Sequence, residues 1–322
     1  MAETRNMDAL IGATGFVGAH LAGQHEFTAL FNSRNIDSAG EMAFEQVVCA
    51  AAPGSMFEAN RFPDSDRQRV EKLISDLAGI KAKRFVLIST IAVFEGFRAE
   101  GEEAANFEKV LAYGRHRREL EVFCVEHFPF CLVVRLPALF GAGLKKNFLF
   151  DILNPMPTML PISRFEEMSA VFPLHLRHDL ATIYEWNEAL AMFVIDRDAL
   201  EGLGRRAEYD RAVKDAGFAA ELFTSPESCF QFYDMNRIWS DISLCLDAGL
   251  ELAHLAPPPL QASAVYSELT GRTMPESSAR VHREDMRTRH AGLWSAPDPY
   301  FETTGDVRYR LRRFLEAERG RV

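Results

Sequence analysis

No stretch of this sequence approaches the roughly 18 consecutive apolar residues of a membrane-spanning helix, so no transmembrane segment is expected. The polar opening, Met1 to Asp8, lacks the basic-then-apolar pattern of a secretory leader, which points to the cytoplasm. Cysteine is scarce and scattered: Cys49, Cys124, Cys131, Cys229 and Cys245 form no C-x-x-C pair. Free, mostly buried thiols in a reducing compartment are expected rather than a disulfide framework. The nine histidines show no metal-ligand spacing, so no metal is predicted. Basic charge is also short, with 36 Lys and Arg against 46 Asp and Glu and a net charge of −10. That balance argues against nucleic acid or an anionic membrane as partner, though it leaves room for a local basic pocket. Internal repeats and low-complexity tracts are missing as well.

What is present is ordinary globular composition, 48% hydrophobic and 25% charged over 322 residues, enough for one large α/β domain with a smaller lobe. The first 140 residues alternate short apolar runs with helical patterns. Strands are expected at Ala9–Ile11, Phe27–Phe31, Gln46–Ala51, Arg84–Ser89 and Phe130–Leu136, and helices at Val17–Gly23, Arg67–Leu77 and Tyr113–His127. In the Arg67–Leu77 helix Val70, Leu73, Ile74 and Leu77 share one face. Apolar strands alternating with helices predict a doubly wound parallel sheet covered on both faces. After Asn147 the rhythm breaks, and a mostly helical lobe is expected, with helices at Asp179–Phe193 and Arg205–Ala216. Further elements are a strand at Phe230–Tyr233 and helices at Asp241–Ala248 and Asp306–Ala317. The domain expectation is residues 1–150 for the sheet domain and 151–322 for the second lobe, with elements returning to the first.

The first chemical signal is Gly12-Ala13-Thr14-Gly15-Phe16-Val17-Gly18, directly after a strand and opening a helix. Glycines allow the sharp turn and the close approach of backbone to a pyrophosphate, and the helix end supplies free N–H groups and a positive dipole. This is the pattern of a Rossmann-type dinucleotide site, with Gly12, Thr14, Gly15, Phe16, Val17 and Gly18 as cofactor contacts. The second strand leads into Asn32-Ser33-Arg34-Asn35, with no acid until Asp37. An acid there would favour NAD, whereas Ser33 and Arg34 suit a 2′-phosphate, so NADP is expected over NAD, with Asn32, Ser33 and Arg34 as contacts. Thr90 ends a strand, and Tyr113 with Arg117 shares one face of a helix. A tyrosine serves as general acid or base when a cation lowers its pKa. At about 5 Å and an effective dielectric of about 20, a cation contributes roughly 3 kcal/mol, or about two pK units. Arg117 is expected to act on Tyr113 in this way, and His116 between them is expected on the surface.

Together these motifs resemble those of the extended short-chain dehydrogenases/reductases of the NAD-dependent epimerase/dehydratase group, over nearly the whole chain. The resemblance covers Gly12 to Gly18, Val48 to Ala52, Leu87 to Phe94, Tyr113, Val134 to Gly141 and Phe232 to Asp241. It implies Thr90, Tyr113 and Arg117 as catalytic residues. It adds Ala50, Ala51, Ala52, Ser89, Leu136 and Pro137, with Tyr113 and Arg117, to the cofactor contacts. It implies Thr90, Ile91, Asn147 and Arg237 as substrate contacts. Lys145, Lys146 and the run Asp285 to His290 read better as solvated charge than as pocket lining.

Three departures matter. The family's Tyr-x-x-x-Lys is Tyr113-x-x-x-Arg117 here; arginine keeps the charge but cannot relay a proton as lysine can. Thr90-Ile91-Ala92 stands in place of the Thr-Asp-Glu of sugar dehydratases, which speaks against dehydration. The 155–225 region is longer than usual, which implies an unusual substrate pocket. The resemblance implies an NAD(P)-dependent oxidoreductase or epimerase acting on an alcohol or ketone of a nucleotide-linked sugar, with a homodimer allowed. A second class stays open: a non-catalytic NADP-binding redox sensor or assembly factor, supported by the arginine at 117.

Overall fold

The computed structural model describes residues 7–320; Met1–Asn6 of the polar opening lie outside the described residues. The chain divides into two compact units, the first formed by residues up to Gly143, Cys229–Leu260 and those from Arg283 on. Leu144–Ser228 and Gln261–His282 form the second.

In the first unit β1 (Asp8–Ile11), α1 (Phe16–Gln24), β2 (Ala29–Phe31), β3 (Ala43–Cys49), α2 (Met56–Arg61), α3 (Pro63–Ala78), β4 (Lys81–Thr90), α4 (Ala112–His127) and β5 (Cys131–Leu136) follow one another. A sixth strand, Leu252–His254, completes a sheet of order Leu252–His254, β5, β4, β3, β1, β2. Every neighbour pair is parallel. Apolar side chains alternate between the two faces. Val47, Phe85 and Leu87 join one core with Val70, Leu73 and Leu120, whereas Val48, Val86 and Ile88 join the other with Ile238 and Ile242. Both faces are therefore buried, as the near-continuous apolar strands require. Parallel strands bring their carboxyl ends to one edge, where open α/β sheets place their ligands. The turns after β1, β2 and β3 and the ends of β4 and β5 lie there, with Thr90 paired to Leu136 in the ladder.

The second unit is mostly helical around Met156, Met168, Phe172, Leu176, Leu180, Tyr209 and Val213. The helix expected over Asp179–Phe193 is corrected. Only Leu180–Ile183 is helical; Tyr184–Asn187 and Met192–Ile195 form an antiparallel hairpin. Trp186 faces Phe193 across it, and aromatic cross-strand pairs outweigh the helical spacing of the segment. The expected strand Phe230–Tyr233 is broken at Gln231. Gln231 turns its buried side chain to Pro257 and Met286. The helix Ala262–Thr270, not foreseen, buries Val265, Tyr266 and Leu269. Among the described residues no helix is long and apolar enough to cross a membrane.

Candidate active site

The glycine turn is built as its spacing predicts. Gly12 has φ +88°, and its N–H and that of Ala13 both donate to the Phe31 carbonyl. A Cβ at Gly12 would lie 2.7 Å from the Ala50 backbone, and one at Gly18 would lie 2.0 Å from the Gly12 carbonyl oxygen. Those two glycines are required by the protein's own packing. Gly15 differs: its Cβ would meet only the Gly12 oxygen, at 3.4 Å. Gly15 is exposed and sits at the N-cap of α1, with no side chain capping the helix. The turn therefore leaves an open space in front of uncapped N–H groups, a shape and polarity that fit a pyrophosphate.

The loop after β2 is shaped by Asn32, whose N–H donates to Asn35 Oδ1 at 2.7 Å and whose Oδ1 accepts from the Arg34 N–H at 2.9 Å. Ser33 and Arg34 are exposed. Ala50, Ala51 and Ala52 line the end of β3, with the Ala50 N–H bonded to the Ile11 carbonyl.

Thr90 and Tyr113 are brought together. Thr90 closes β4, and its hydroxyl accepts from the Ala92 N–H at 3.1 Å, starting the tight turn Ile91–Val93. The first turn of α4 presses on that turn at Gly114, where a Cβ would lie 1.9 Å from the Ala92 carbonyl oxygen. Asn60 from α2 accepts the Tyr113 N–H at 3.0 Å, satisfying one of the donors a helix start leaves open. Burial holds the Tyr113 phenol above its ordinary pKa; Arg117 and the Thr90 hydroxyl pull it down, and Asp66 pushes it up.

This corrects the expectation that Arg117 brings the phenol near neutrality. Arg117 is itself buried and committed elsewhere. Its Nη1 donates to Asp66 Oδ2 at 2.5 Å and its Nη2 to the Pro53 carbonyl. The guanidinium carbon lies over the Tyr113 ring, 4.1 Å from its centre. His116 is a second correction: it is fully buried, not on the surface. Its Nδ1 lies 2.7 Å from the same Asp66 oxygen, and its Nε2 lies 3.3 Å from Arg115 Nη2. Burial raises the Asp66 pKa, but the bonds and charges of Arg117 and His116 outweigh it and hold the carboxyl below its ordinary value.

A second buried polar group lies one turn along α4. Glu121 accepts from Ser89 at 2.6 Å, from Arg135 Nη2 at 2.7 Å and from Arg118 at 2.9 Å. Arg135 also reaches His254 Nε2 at 3.2 Å. Burial, reinforced by the neighbouring Arg135, pushes the His254 pKa down to about 4, against the pull of Glu102.

The other expected site residues are placed as follows. Leu136 and Pro137 are buried at the end of β5. Ile91 packs in a small apolar cluster with Ala256 and Met286. Arg237 donates to Glu302 at 2.9 Å and to Asp241 at 3.1 Å. Asn147 lies in the second unit, where its side chain accepts from the Leu149 and Phe150 N–H groups and caps a short helix. A cavity of about 630 Å³ between β4 and α4, walled by Glu95, Arg98, Glu100, Glu103 and Asn106, is lined by neither Thr90 nor Tyr113. Sequence reasoning missed Asp66, Asn60 and the Glu121–Arg135 pair. The signal for Asp66 was its position on the apolar face of α3, one turn before Val70.

No protein-family model matches the sequence, and no curated protein is matched by it. Solved structures do match along the whole chain. A dTDP-4-dehydrorhamnose reductase from Bacillus anthracis in complex with NADP aligns with a TM-score of 0.62 and 14% identity, over 97% of this chain and 98% of that one. A UDP-galactose 4-epimerase aligns with a TM-score of 0.60 and 10% identity, over 97% and 99%. MoeE5 in complex with UDP-glucose and NAD aligns with a TM-score of 0.59 and 14% identity, over 97% and 98%. At these identities the likeness establishes the architecture: the chain has the Rossmann-type α/β fold of these reductase and epimerase structures.

Proposed function

We propose that the protein is an NAD(P)-dependent oxidoreductase or epimerase acting on an alcohol or ketone, and that its substrate class is a nucleotide-linked sugar. The observation that carries this reading is the meeting of Thr90 and Tyr113 at the carboxyl edge of the sheet that also bears the open glycine turn. Gly12 to Gly18 would hold the pyrophosphate on the N–H groups of α1, and Ser33 and Arg34 would favour a 2′-phosphate. A bound nicotinamide dinucleotide would supply or accept the hydride. Thr90 would hydrogen-bond the reacting oxygen, and Tyr113 would exchange its proton with that oxygen. Arg117 would act through the Tyr113 ring and the Pro53 carbonyl, because both its terminal nitrogens are engaged. Support for the nucleotide-sugar class comes from the solved structures of like fold that carry UDP-glucose or are reductases of a dTDP-sugar.

Calorimetric titration with NADP(H) and NAD(H), followed by a panel of UDP- and dTDP-linked sugars assayed for dinucleotide oxidation or reduction, tests the proposal. Binding of neither dinucleotide refutes it. The engagement of Arg117 by Asp66 supports a second reading, in which the site binds NADP without turnover. Tight dinucleotide binding with no turnover of any panel member, and no effect of Tyr113→Phe on ligand binding, favours that reading instead.

A further inference from the structure

From the geometry of α3 and α4 we infer that Asp66 is a positioning residue that clamps Arg117 and takes up its charge, so that Tyr113 works in its protonated form and gives a proton to a carbonyl oxygen. The inference rests on the oxidoreductase reading above and gives it a direction, carbonyl reduction.

One oxygen of Asp66 serves two donors. It accepts from Arg117 Nη1 at 2.5 Å and faces His116 Nδ1 at 2.7 Å, with the carboxylate 4% exposed. His116 Nε2 faces Arg115 Nη2 at 3.3 Å, so the ring bridges Asp66 and Arg115. The Asp66 carboxylate and the Arg117 guanidinium thus form a buried ion pair. A lone guanidinium stacked on a phenol ring would favour phenolate; this one carries its counter-ion with it. The groups acting on the phenol oxygen are Arg117 and the Thr90 hydroxyl, which favour phenolate, and Asp66, which opposes it. Burial is the main opposition and Asp66 a smaller one, and the balance lies with the protonated form.

A phenol that keeps its proton at neutral pH suits one direction of the reaction. The substrate carbonyl carbon accepts a hydride from a reduced nicotinamide dinucleotide, and the C=O electron pair moves onto oxygen. The Tyr113 O–H bond breaks to give that oxygen its proton. Solvent then returns a proton to the phenolate. The reverse reaction needs phenolate at the outset, which the Asp66–Arg117 pairing disfavours.

The test is Asp66→Asn, which keeps the size and an acceptor oxygen but removes the charge. The Tyr113 titration is read as the ultraviolet difference between each protein and its Tyr113→Phe counterpart, without dinucleotide. It should move to lower pH by about one unit or more, the scale expected for losing a nearby buried charge. The alkaline limb of carbonyl reduction should move down with it, and alcohol oxidation at neutral pH should rise relative to reduction. A purely structural Asp66 would lower activity without moving the titration downward, and that result overturns the inference. Should Asp66→Asn not fold, D66N/R117M removes both charges together. Its phenol should titrate at or above the parent value, and a downward shift there overturns the inference too. Failure to bind any dinucleotide defeats the functional reading, whereas the tyrosine titration reports on Asp66 alone.

Discussion

Replacing Arg117 by Met tests whether the centre of the site is a buried ion pair. The perturbation is clean locally: methionine has nearly the helix propensity of arginine and covers much of the same ring surface on Tyr113. What disappears is the charge and two hydrogen bonds, to Asp66 and to the Pro53 carbonyl. Asp66 is 4% exposed and retains only the His116 N–H. Removing one partner of a buried pair costs about 3–5 kcal/mol, because the other charge stays out of water uncompensated. The lost bond to Pro53 adds about 1 kcal/mol. Arg117→Lys should fall between parent and Met, since an ammonium can reach Asp66 but cannot span Asp66 and Pro53 as a fork. In D66N/R117M no buried charge is stranded, so the double variant should be more stable than the sum of the singles by about 2–3 kcal/mol. Urea unfolding at neutral pH, followed by circular dichroism, measures all four proteins. An Arg117→Met variant that loses less than about 1 kcal/mol, with no coupling to Asp66, would refute the claim that this pair is buried and charged.

Other expectations follow from the same geometry. Gly15→Val should abolish dinucleotide binding in calorimetry while leaving the unfolding midpoint nearly unchanged, because the added Cβ meets only the Gly12 oxygen, at 3.4 Å; Gly18→Ala should instead destabilise the fold, since its Cβ would sit 2.0 Å from a backbone oxygen. NADP(H) should bind more tightly than NAD(H), with Arg34→Ala narrowing the gap; an NAD preference in the parent protein defeats this. His254, fully buried, is neutral in the fold with its pKa down to about 4. The unfolded chain takes up this proton at about 6.5, so stability is complete above that pH and declines as pH falls towards 4, by a few kcal/mol in all. His254→Asn should flatten that slope in acid-unfolding curves, and an unchanged slope counts against the assignment.

The sheet was legible because its strands carry few conflicts. Leu87-Ile88 and Leu132-Val133-Val134 are apolar on both faces, and only a covered parallel sheet accepts that. The glycine turn was legible because its spacing is dictated by backbone clearance, which the structure shows at Gly12 and Gly18. The hairpin at Tyr184–Ile195 was misread because helical spacing and strand propensity compete over so short a span, and tertiary pairing decides. At the site, the individual residues could be named but not their pairing. Arg117 and Glu121 lie four apart on the inward face of α4, and each meets an opposite charge from another element, Asp66 from α3 and Arg135 from β5. Sequence periodicity marks such positions as buried without saying what neutralises them. Hence the sign of the Tyr113 shift came out wrong from Arg117 alone: burial and the counter-ion, both tertiary facts, reverse it.

Gly114 gives the most direct test of how tightly Thr90 and Tyr113 are held together. On helix propensity alone, Gly114→Ala should stabilise the protein by about 1 kcal/mol. The packing predicts the opposite. An alanine Cβ would stand 1.9 Å from the Ala92 carbonyl oxygen and 3.0 Å from Glu108 Cβ. The contact is with backbone, in a turn whose N–H is already fixed by the Thr90 hydroxyl, so α4 or the Ile91–Val93 turn must yield by more than an ångström. Either movement separates Tyr113 from Thr90. A misplacement of about 1 Å at a reacting pair is worth about a hundredfold in rate. The expected outcome is a lower unfolding midpoint, dinucleotide affinity close to the parent because the glycine turn is untouched, and turnover reduced by about two orders of magnitude. An alanine variant with raised stability and parent turnover would show that the close approach of α4 to the end of β4 does not set the geometry of the site.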